Sequence, residues 1–211
     1  MIGLQKPYVN VQRGPERSYG GSQMWSERET IRRCGCGPVA AMDLLLYLEN
    51  HTSPIASADY VRELQAITKK YFFLIRPFGI NGISFVFGLN RLLRDRGLPY
   101  RAAWETSRKQ LWPRIEEMLG RDLPVILSVG PNFPRTWAGD QVDFYVRLKN
   151  GGFRPATKTK SHYVTATGID ETWLRISSWG REYYILRKDY DDYARYSSIP
   201  LLTNIVYLKK V

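Results

Sequence analysis

The strongest structural signal in the chain is the stretch 36–50, which reads CGPVAAMDLLLYLEN. From Pro38 onwards its apolar side chains recur at the three- and four-residue spacing of a helix, and the run ends near Asn50. Pro38 suits the first position of a helix, because its missing N–H group would have no intrahelical partner there. The sequence therefore predicts a strongly apolar helix with Cys36 directly ahead of its first turn.

The rest of the chain divides into a helical half and a half rich in strands. Further helices are predicted over 57–71, 81–96 and 107–119, and strands over 123–129, 142–148, 162–168, 172–177, 183–187 and 204–208. This order, with helices first and strands second, favours the α+β class. We expect a single domain over 1–211, in which 1–30 form an irregular N-terminal arm, 31–120 a helical lobe and 121–211 a β-rich lobe.

Composition excludes several classes of protein. Of the 211 residues, 44% are hydrophobic and 13% aromatic, so the chain is not a disordered protein. Two cysteines do not make a disulfide scaffold, no apolar run approaches the roughly 20 residues of a membrane span, and no secretory signal is visible. We therefore expect a soluble, cytoplasmic protein with no membrane partner.

The chain is basic, with a formal net charge of +11. Most of its cations alternate with acids and form no known nucleic-acid-binding motif, so a nucleic-acid partner is disfavoured. The exception is the segment 147–160, which contains no acid and carries Arg147, Lys149, Arg154, Lys158 and Lys160. The simplest interpretation of this segment is a solvated basic loop. The alternative is that it lies at the rim of a site formed by His162 and favours a substrate with acidic groups.

Cys36 is the first candidate for chemistry. A thiol at a helix N-terminus faces unpaired backbone N–H groups and the positive end of the helix dipole, so the thiolate is expected to be favoured. The neighbouring Arg32 and Arg33 act in the same direction, and Gly37 leaves room for another chain to approach the sulfur. These features predict a nucleophile.

His162 is the second candidate. It begins an alternating strand, and 168–171, Gly-Ile-Asp-Glu, predict a hairpin turn. The returning strand would bring Ser177 and Ser178 back to the level of His162. A histidine that serves as a base needs a partner on its second ring nitrogen, and the end of the returning strand is where that partner is expected.

The same residue types also have purely structural interpretations. Cys34 is expected to be a buried core thiol. A metal site built on Cys34, Cys36 and His162 would lack a fourth ligand, and a disulfide between the two cysteines would be strained and would silence the nucleophile. His51 is expected on the surface, and Trp179 is expected to shield the hydrogen bond of His162 from water.

Three patches together resemble papain-like cysteine peptidases, and most closely the bacterial peptidases that process double-glycine leader peptides. The patches are 36–42 (CGPVAAM), 162–164 (HYV) before the turn at 168–170, and 176–180 (ISSWG) after it. The resemblance implies a papain-like fold, with the nucleophile helix packed on a C-terminal antiparallel sheet. The chain departs from the family at two positions. Ser177 stands where these enzymes carry Asn or Asp. The glutamine that completes the oxyanion hole in these enzymes lies a few residues before the nucleophile, and here Thr30 occupies about that position.

The resemblance implies a thiol hydrolase, most simply a cysteine peptidase without a cofactor. Cys36 would attack a carbonyl, His162 would act as general base, and Ser177 (or Ser178) would orient the imidazole. The oxyanion would be held by the backbone N–H of Cys36 and the side chain of Gln23, and the partner would be a peptide or protein. The alternatives are a non-catalytic papain-fold binding module, an acyltransferase or deamidase that uses the same pair, and a basic nucleic-acid-associated protein.

Overall fold

The computed structural model of the chain describes residues 1–131 and 140–211. Its α-helices are α1 (Glu29–Cys34), α2 (Cys36–Leu48), α3 (Ser57–Tyr71), α4 (Gly82–Asp95), α5 (Leu111–Gly120) and α6 (Arg187–Asp192). Short 3-10 turns occur at Gln23–Trp25 and Arg108–Gln110, and a π-helical turn occurs at Tyr193–Ser197. None of the helices within these ranges is long and apolar enough to cross a bilayer.

The strands form one large and one small sheet. They are β1 (Ile2–Gly3), β2 (Val11–Arg13), β3 (Glu16–Arg17), β4 (Ile55–Ala56), β5 (Tyr100–Trp104), β6 (Val125–Val129), β7 (Val142–Arg147), β8 (Phe153–Thr159), β9 (His162–Ile169), β10 (Trp173–Ser178), β11 (Arg181–Leu186) and β12 (Ile205–Lys210). The large sheet has the order β5-β12-β6-β9-β10-β11-β7-β8, with β1 also paired to β9. Its strand pairs within the described ranges are antiparallel, which agrees with the predicted α+β class.

Helices cover both faces of the large sheet. Side chains alternate across a strand, so neighbouring residues of β6 enter different cores. Ile126 packs with α2, α3 and α4 on one face, whereas Val125 and Leu127 pack with α5 on the other. The sheet is also strongly curved. Two strands, β10 and β11, separate β7 from β9, yet the ring of Phe144 on β7 lies 6.5 Å from the ring of His162 on β9.

The predicted apolar helix is α2, which lies at the centre of the fold against β9. Its residues 37–47 are all buried, as expected of a helix that is apolar around most of its circumference. The helix begins at Cys36, two residues before the predicted start, so Pro38 is its third residue rather than its first. Proline is tolerated there because N–H groups of the first turn have no intrahelical acceptor.

Two segments differ from the sequence predictions. The stretch 147–160 is not simply a basic loop, because half of it forms the edge strand β8, which pairs with β7 from Phe153 to Thr159. The predicted helical lobe 31–120 also contributes β5, which pairs with β12 at the opposite edge of the sheet. The predicted N-terminal arm contains β1, β2 and β3, and β1 is hydrogen-bonded to β9.

Candidate active site

Cys36 is the first residue of α2 and follows Gly35, which caps the helix. The chain approaches closely at Gly37, where an added Cβ would lie 3.0 Å from a methyl group of Ile80 and 3.4 Å from the ring of Phe85. This glycine therefore allows the loop before α4 to pack against the start of α2. The thiol group lies at the point where this loop, α2 and β9 meet.

His162 is the first residue of β9 and pairs with Val129 of β6. Its buried ring stacks on Trp179, with centroids 4.5 Å apart and planes 20° apart. Its Nε2 atom lies 2.8 Å from the Oγ atom of Ser178, in a buried hydrogen bond. The expected shielding by Trp179 is therefore present, and a role as base would fall to the other ring nitrogen, Nδ1.

The histidine partner is Ser178 and not Ser177. A β-bulge shifts the pairing of β9 and β10, so that Arg175 is opposite Gly168 but Ile176 is opposite Ala166. One residue of slip exchanges the two faces of a strand, so Ser178 rather than Ser177 shares the face of His162. Ser177 also lines the small cavity beside this pair, but its hydroxyl donates to the carbonyl oxygen of Tyr19, at 2.9 Å, and not to His162.

Cys36 and His162 line one small cavity of about 10 Å³, roughly the space that one water molecule occupies. Gln23, Ser177, Ser178 and Trp179 line the same cavity. The 3-10 turn, α2, β9 and the end of β10 thus each contribute a side chain to one cavity.

Gln23 lies in the 3-10 turn that follows the capping residue Ser22. Its side chain is buried, and its Nε2 atom donates to the carbonyl oxygen of Arg32 at 3.0 Å. An amide nitrogen carries two hydrogens, so this bond leaves a second donor on the side chain. A donor beside the thiol is what an oxyanion hole requires.

The protonation of the pair differs from the sequence prediction. Burial raises the pKa of Cys36, although hydrogen bonds from the backbone N–H groups of Tyr163 and Gly37 lower it. Burial also lowers the pKa of His162 to about 3. The backbone at the helix start therefore lowers the pKa of the thiol, as predicted, but desolvation raises it by more. Both side chains are consequently neutral near pH 7.

A larger groove of about 350 Å³ opens from Cys36 and His162. Its walls are largely apolar and include Ile75, Phe78, Ile80, Trp104 and Leu202. Arg33 contributes a charge. The basic residues of the segment 147–160 do not line this groove. The prediction that they lie at the rim of the site is therefore wrong.

A buried carboxylate was missed by the sequence analysis. Asp43 lies on α2, two turns after Cys36, and lines the same small cavity. Burial raises its pKa to about 6, even though it accepts hydrogen bonds from Gly21, Tyr60 and Tyr8. The signal was available, since Asp43 is the only charged residue in the apolar stretch 34–48.

The other cysteine and the other histidine, Cys34 and His51, do not line the small cavity. Cys34 is buried, and both cysteines are free. His51 is exposed and lies 3.8 Å from the carboxylate of Glu49. Within residues 1–131 and 140–211, no group of three or more His, Cys, Asp or Glu side chains could hold a metal ion.

Comparisons with known proteins give no match: no family model, curated protein or solved structure is similar to this chain. The function must therefore be argued from the geometry of the site.

Proposed function

We propose that the chain is a papain-like thiol hydrolase, most simply a cysteine peptidase. The observation that carries the proposal is that Cys36, at the first turn of the buried helix α2, and His162, at the start of β9, line one water-sized cavity. The bond between His162 and Ser178 supports it further, because a neutral imidazole that donates from Nε2 carries on Nδ1 the lone pair that can accept a proton.

The proposed reaction begins with the neutral pair. As the sulfur of Cys36 forms a bond to the substrate carbonyl carbon, its proton passes to Nδ1 of His162. The tetrahedral intermediate then collapses, the amine leaves with that proton, and an acyl-thioester remains on Cys36. Water attacks the thioester with His162 as base, which releases the acid and restores the thiol.

The oxyanion would be held by two donors. One is the backbone N–H of Cys36, which is unpaired within the helix because it belongs to the first turn of α2. The other is the second amide hydrogen of Gln23. Loss of one such donor typically costs about 100- to 1000-fold in kcat.

The surface near the groove favours a peptide or protein substrate with apolar side chains. Phe78 is 84% exposed and Ile75 is 49% exposed, and both line the groove. Phe73, Ile83 and Phe87 are also exposed on the same loop and on the start of α4. Large exposed apolar patches mark interaction sites in soluble proteins. Arg33 offers one contact for an acidic group at the edge of the groove.

The neutral state of the pair is the observation that favours the alternative, a non-catalytic papain-fold binding module. A serine brings no charge to His162, and burial disfavours the imidazolium. The groove and its apolar rim would then bind a peptide without cleaving it.

The test is acyl transfer to Cys36 from an activated ester, followed by mass spectrometry of the intact protein and of its peptides. An enzyme gives an acyl adduct on Cys36 that disappears with time, and His162→Ala slows adduct formation by about 100-fold or more. An adduct that forms equally fast in wild type and His162→Ala would refute the proposal. An adduct that decays only when an amine is added would identify an acyltransferase.

A further inference from the structure

Asp43 is the most heavily hydrogen-bonded side chain near the site, and the reaction proposed above does not use it. Its two carboxylate oxygens accept from the backbone N–H of Gly21, each at 3.0 Å. Its Oδ1 also accepts from the hydroxyl of Tyr60 at 2.8 Å, and its Oδ2 accepts from the hydroxyl of Tyr8 at 3.3 Å. The carboxylate is 2% exposed, so these donors replace water around it.

The segment 19–21 is fixed between Asp43 on α2 and Ser177 on β10. An added Cβ at Gly20 would lie 2.1 Å from Oγ of Ser177 and 2.5 Å from Oδ2 of Asp43. At Gly21 it would lie 1.8 Å from the hydroxyl oxygen of Tyr60. Only glycine fits at these two positions, and Gly20 also adopts a φ of +75°, which favours glycine.

This segment leads directly to Gln23. Ser22 caps the 3-10 turn by accepting from the N–H of Met24, and Gln23 is the first residue of that turn. The position of the Gln23 amide is therefore set from two sides, by Asp43 through Gly21 and by the carbonyl of Arg32.

We propose that Asp43 is a positioning residue that holds the segment 19–23 on the nucleophile helix and thereby places the Gln23 amide beside Cys36. The proposal rests on the hydrolase function, in which Gln23 donates to the oxyanion. Asp43 and Cys36 lie on the same helix, so their spacing is fixed by α2. The segment with Gln23 belongs to the N-terminal arm, and the bonds to Asp43 fix it relative to that helix.

The choice of a carboxylate has a chemical reason. The groups that face Asp43 from the arm and from α3 are donors: the Gly21 N–H, the Tyr8 hydroxyl and the Tyr60 hydroxyl. An ionised carboxylate accepts from all of them at once. An asparagine would turn either its NH₂ group or its single oxygen towards Gly21, so part of this set would be lost.

The kinetic test is a double-mutant cycle of Asp43→Asn and Gln23→Ala, with hydrolysis of an activated ester as the assay. If Asp43 acts through Gln23, Asp43→Asn lowers kcat about 10-fold or more in the wild-type background and less than twofold in the Gln23→Ala background. Alkylation of Cys36 by iodoacetamide forms no oxyanion, so its rate stays within about twofold. Equal losses of kcat in both backgrounds would overturn the proposal.

The matched control is Asp122→Asn. Asp122 also accepts a hydrogen bond from a tyrosine of α2, Tyr47, but it does not contact the segment 19–23. This variant tests whether any loss of a tyrosine–carboxylate bond on α2 slows hydrolysis. If Asp122→Asn shows the same dependence on Gln23 as Asp43→Asn, the positioning role is wrong.

Hydrogen exchange separates failure of this proposal from failure of the hydrolase function. In Asp43→Asn, amides of the peptide 19–25 are expected to exchange at least 10-fold faster, while those of 38–48 keep their protection. This readout needs no activity, and unchanged exchange in 19–25 would overturn the proposal. If Asp43→Asn does not fold, Tyr60→Phe removes one of the bonds to Asp43 and is expected to give a smaller change with the same sign in both assays.

Discussion

The protonation state of His162 gives a prediction that needs no substrate. Burial lowers the pKa of this imidazole from 6.5 to about 3, whereas in the unfolded chain it keeps its ordinary value. Between these two pH values the unfolded chain binds a proton that the folded protein does not. The folded state therefore loses stability as the pH falls below 6.5, by about 1.4 kcal/mol for each pH unit.

The perturbation is His162→Gln, which keeps a polar side chain beside Ser178 but does not titrate. At pH 4.5, two units below 6.5, the wild type is expected to have lost about 3 kcal/mol that the variant retains. Between pH 7.5 and 4.5, the free energy of unfolding of the wild type should therefore fall by about 3 kcal/mol relative to that of the variant. Urea unfolding at four pH values in this range measures it.

Asp43 must be considered in this experiment, because its titration changes the stability of the folded protein with pH in the opposite direction. Its pKa is raised from 3.8 to about 6 by burial, so the folded protein binds this proton more tightly and gains stability as the pH falls through that range. Asp43 is present in both proteins and its contribution cancels in the difference. A difference that stays constant from pH 7.5 to 4.5 would refute the argument. It would show that folded His162 accepts a proton as readily as the unfolded chain does.

Three further predictions follow from single contacts. Ser178→Ala leaves Nε2 of His162 without its partner, and kcat/KM for an activated ester should fall roughly 10- to 100-fold; an unchanged value would remove Ser178 from the site. Gly21→Ala forces a methyl group against Tyr60, and urea unfolding should show a loss of about 1–3 kcal/mol, so a fully stable variant would contradict the packing described. Trp104→Ala removes a wall of the groove, and KM for peptides with large apolar side chains should rise about 10-fold, whereas an equal rise for glycine-rich peptides would argue against an apolar subsite.

The central helix and the hairpin that carries His162 were predictable because both depend on local patterns. The stretch 36–50 is apolar at nearly every position, and such a helix can only be stable if it is surrounded by the rest of the fold. The predicted turn at 168–171 overlaps the observed one at 170–172, since Gly168 and Ile169 still belong to β9 and pair with β10. The meeting of Cys36 and His162 follows from these two elements once α2 packs on β9.

The choice between Ser177 and Ser178 was not predictable. It depends on one extra residue in β9, at the bulge near Thr167. The neighbouring Gly168 is typical of a bulge, but the sequence analysis assigned this glycine to the turn. Strand β8 was missed for a different reason. Arg154, Pro155 and Lys158 are typical of a loop, but the same residues are typical of an edge strand, where charge and proline prevent further pairing.

The prediction of a thiolate failed because it considered the helix start without its burial. The fold places Cys36 at the N-terminus of α2, where backbone donors lower the pKa of the thiol. The same fold buries α2, and the resulting desolvation raises that pKa by more than the donors lower it. A carboxylate at Ser178 would offset that loss by stabilising an imidazolium, and a serine does not. The site therefore holds a neutral thiol and a neutral imidazole near pH 7. In the proposed reaction, charge separation would occur only during bond formation, with the oxyanion held by Gln23 and the backbone of Cys36. This makes the position of Gln23, and with it the bonds of Asp43, more important here than in a site whose thiolate is already formed.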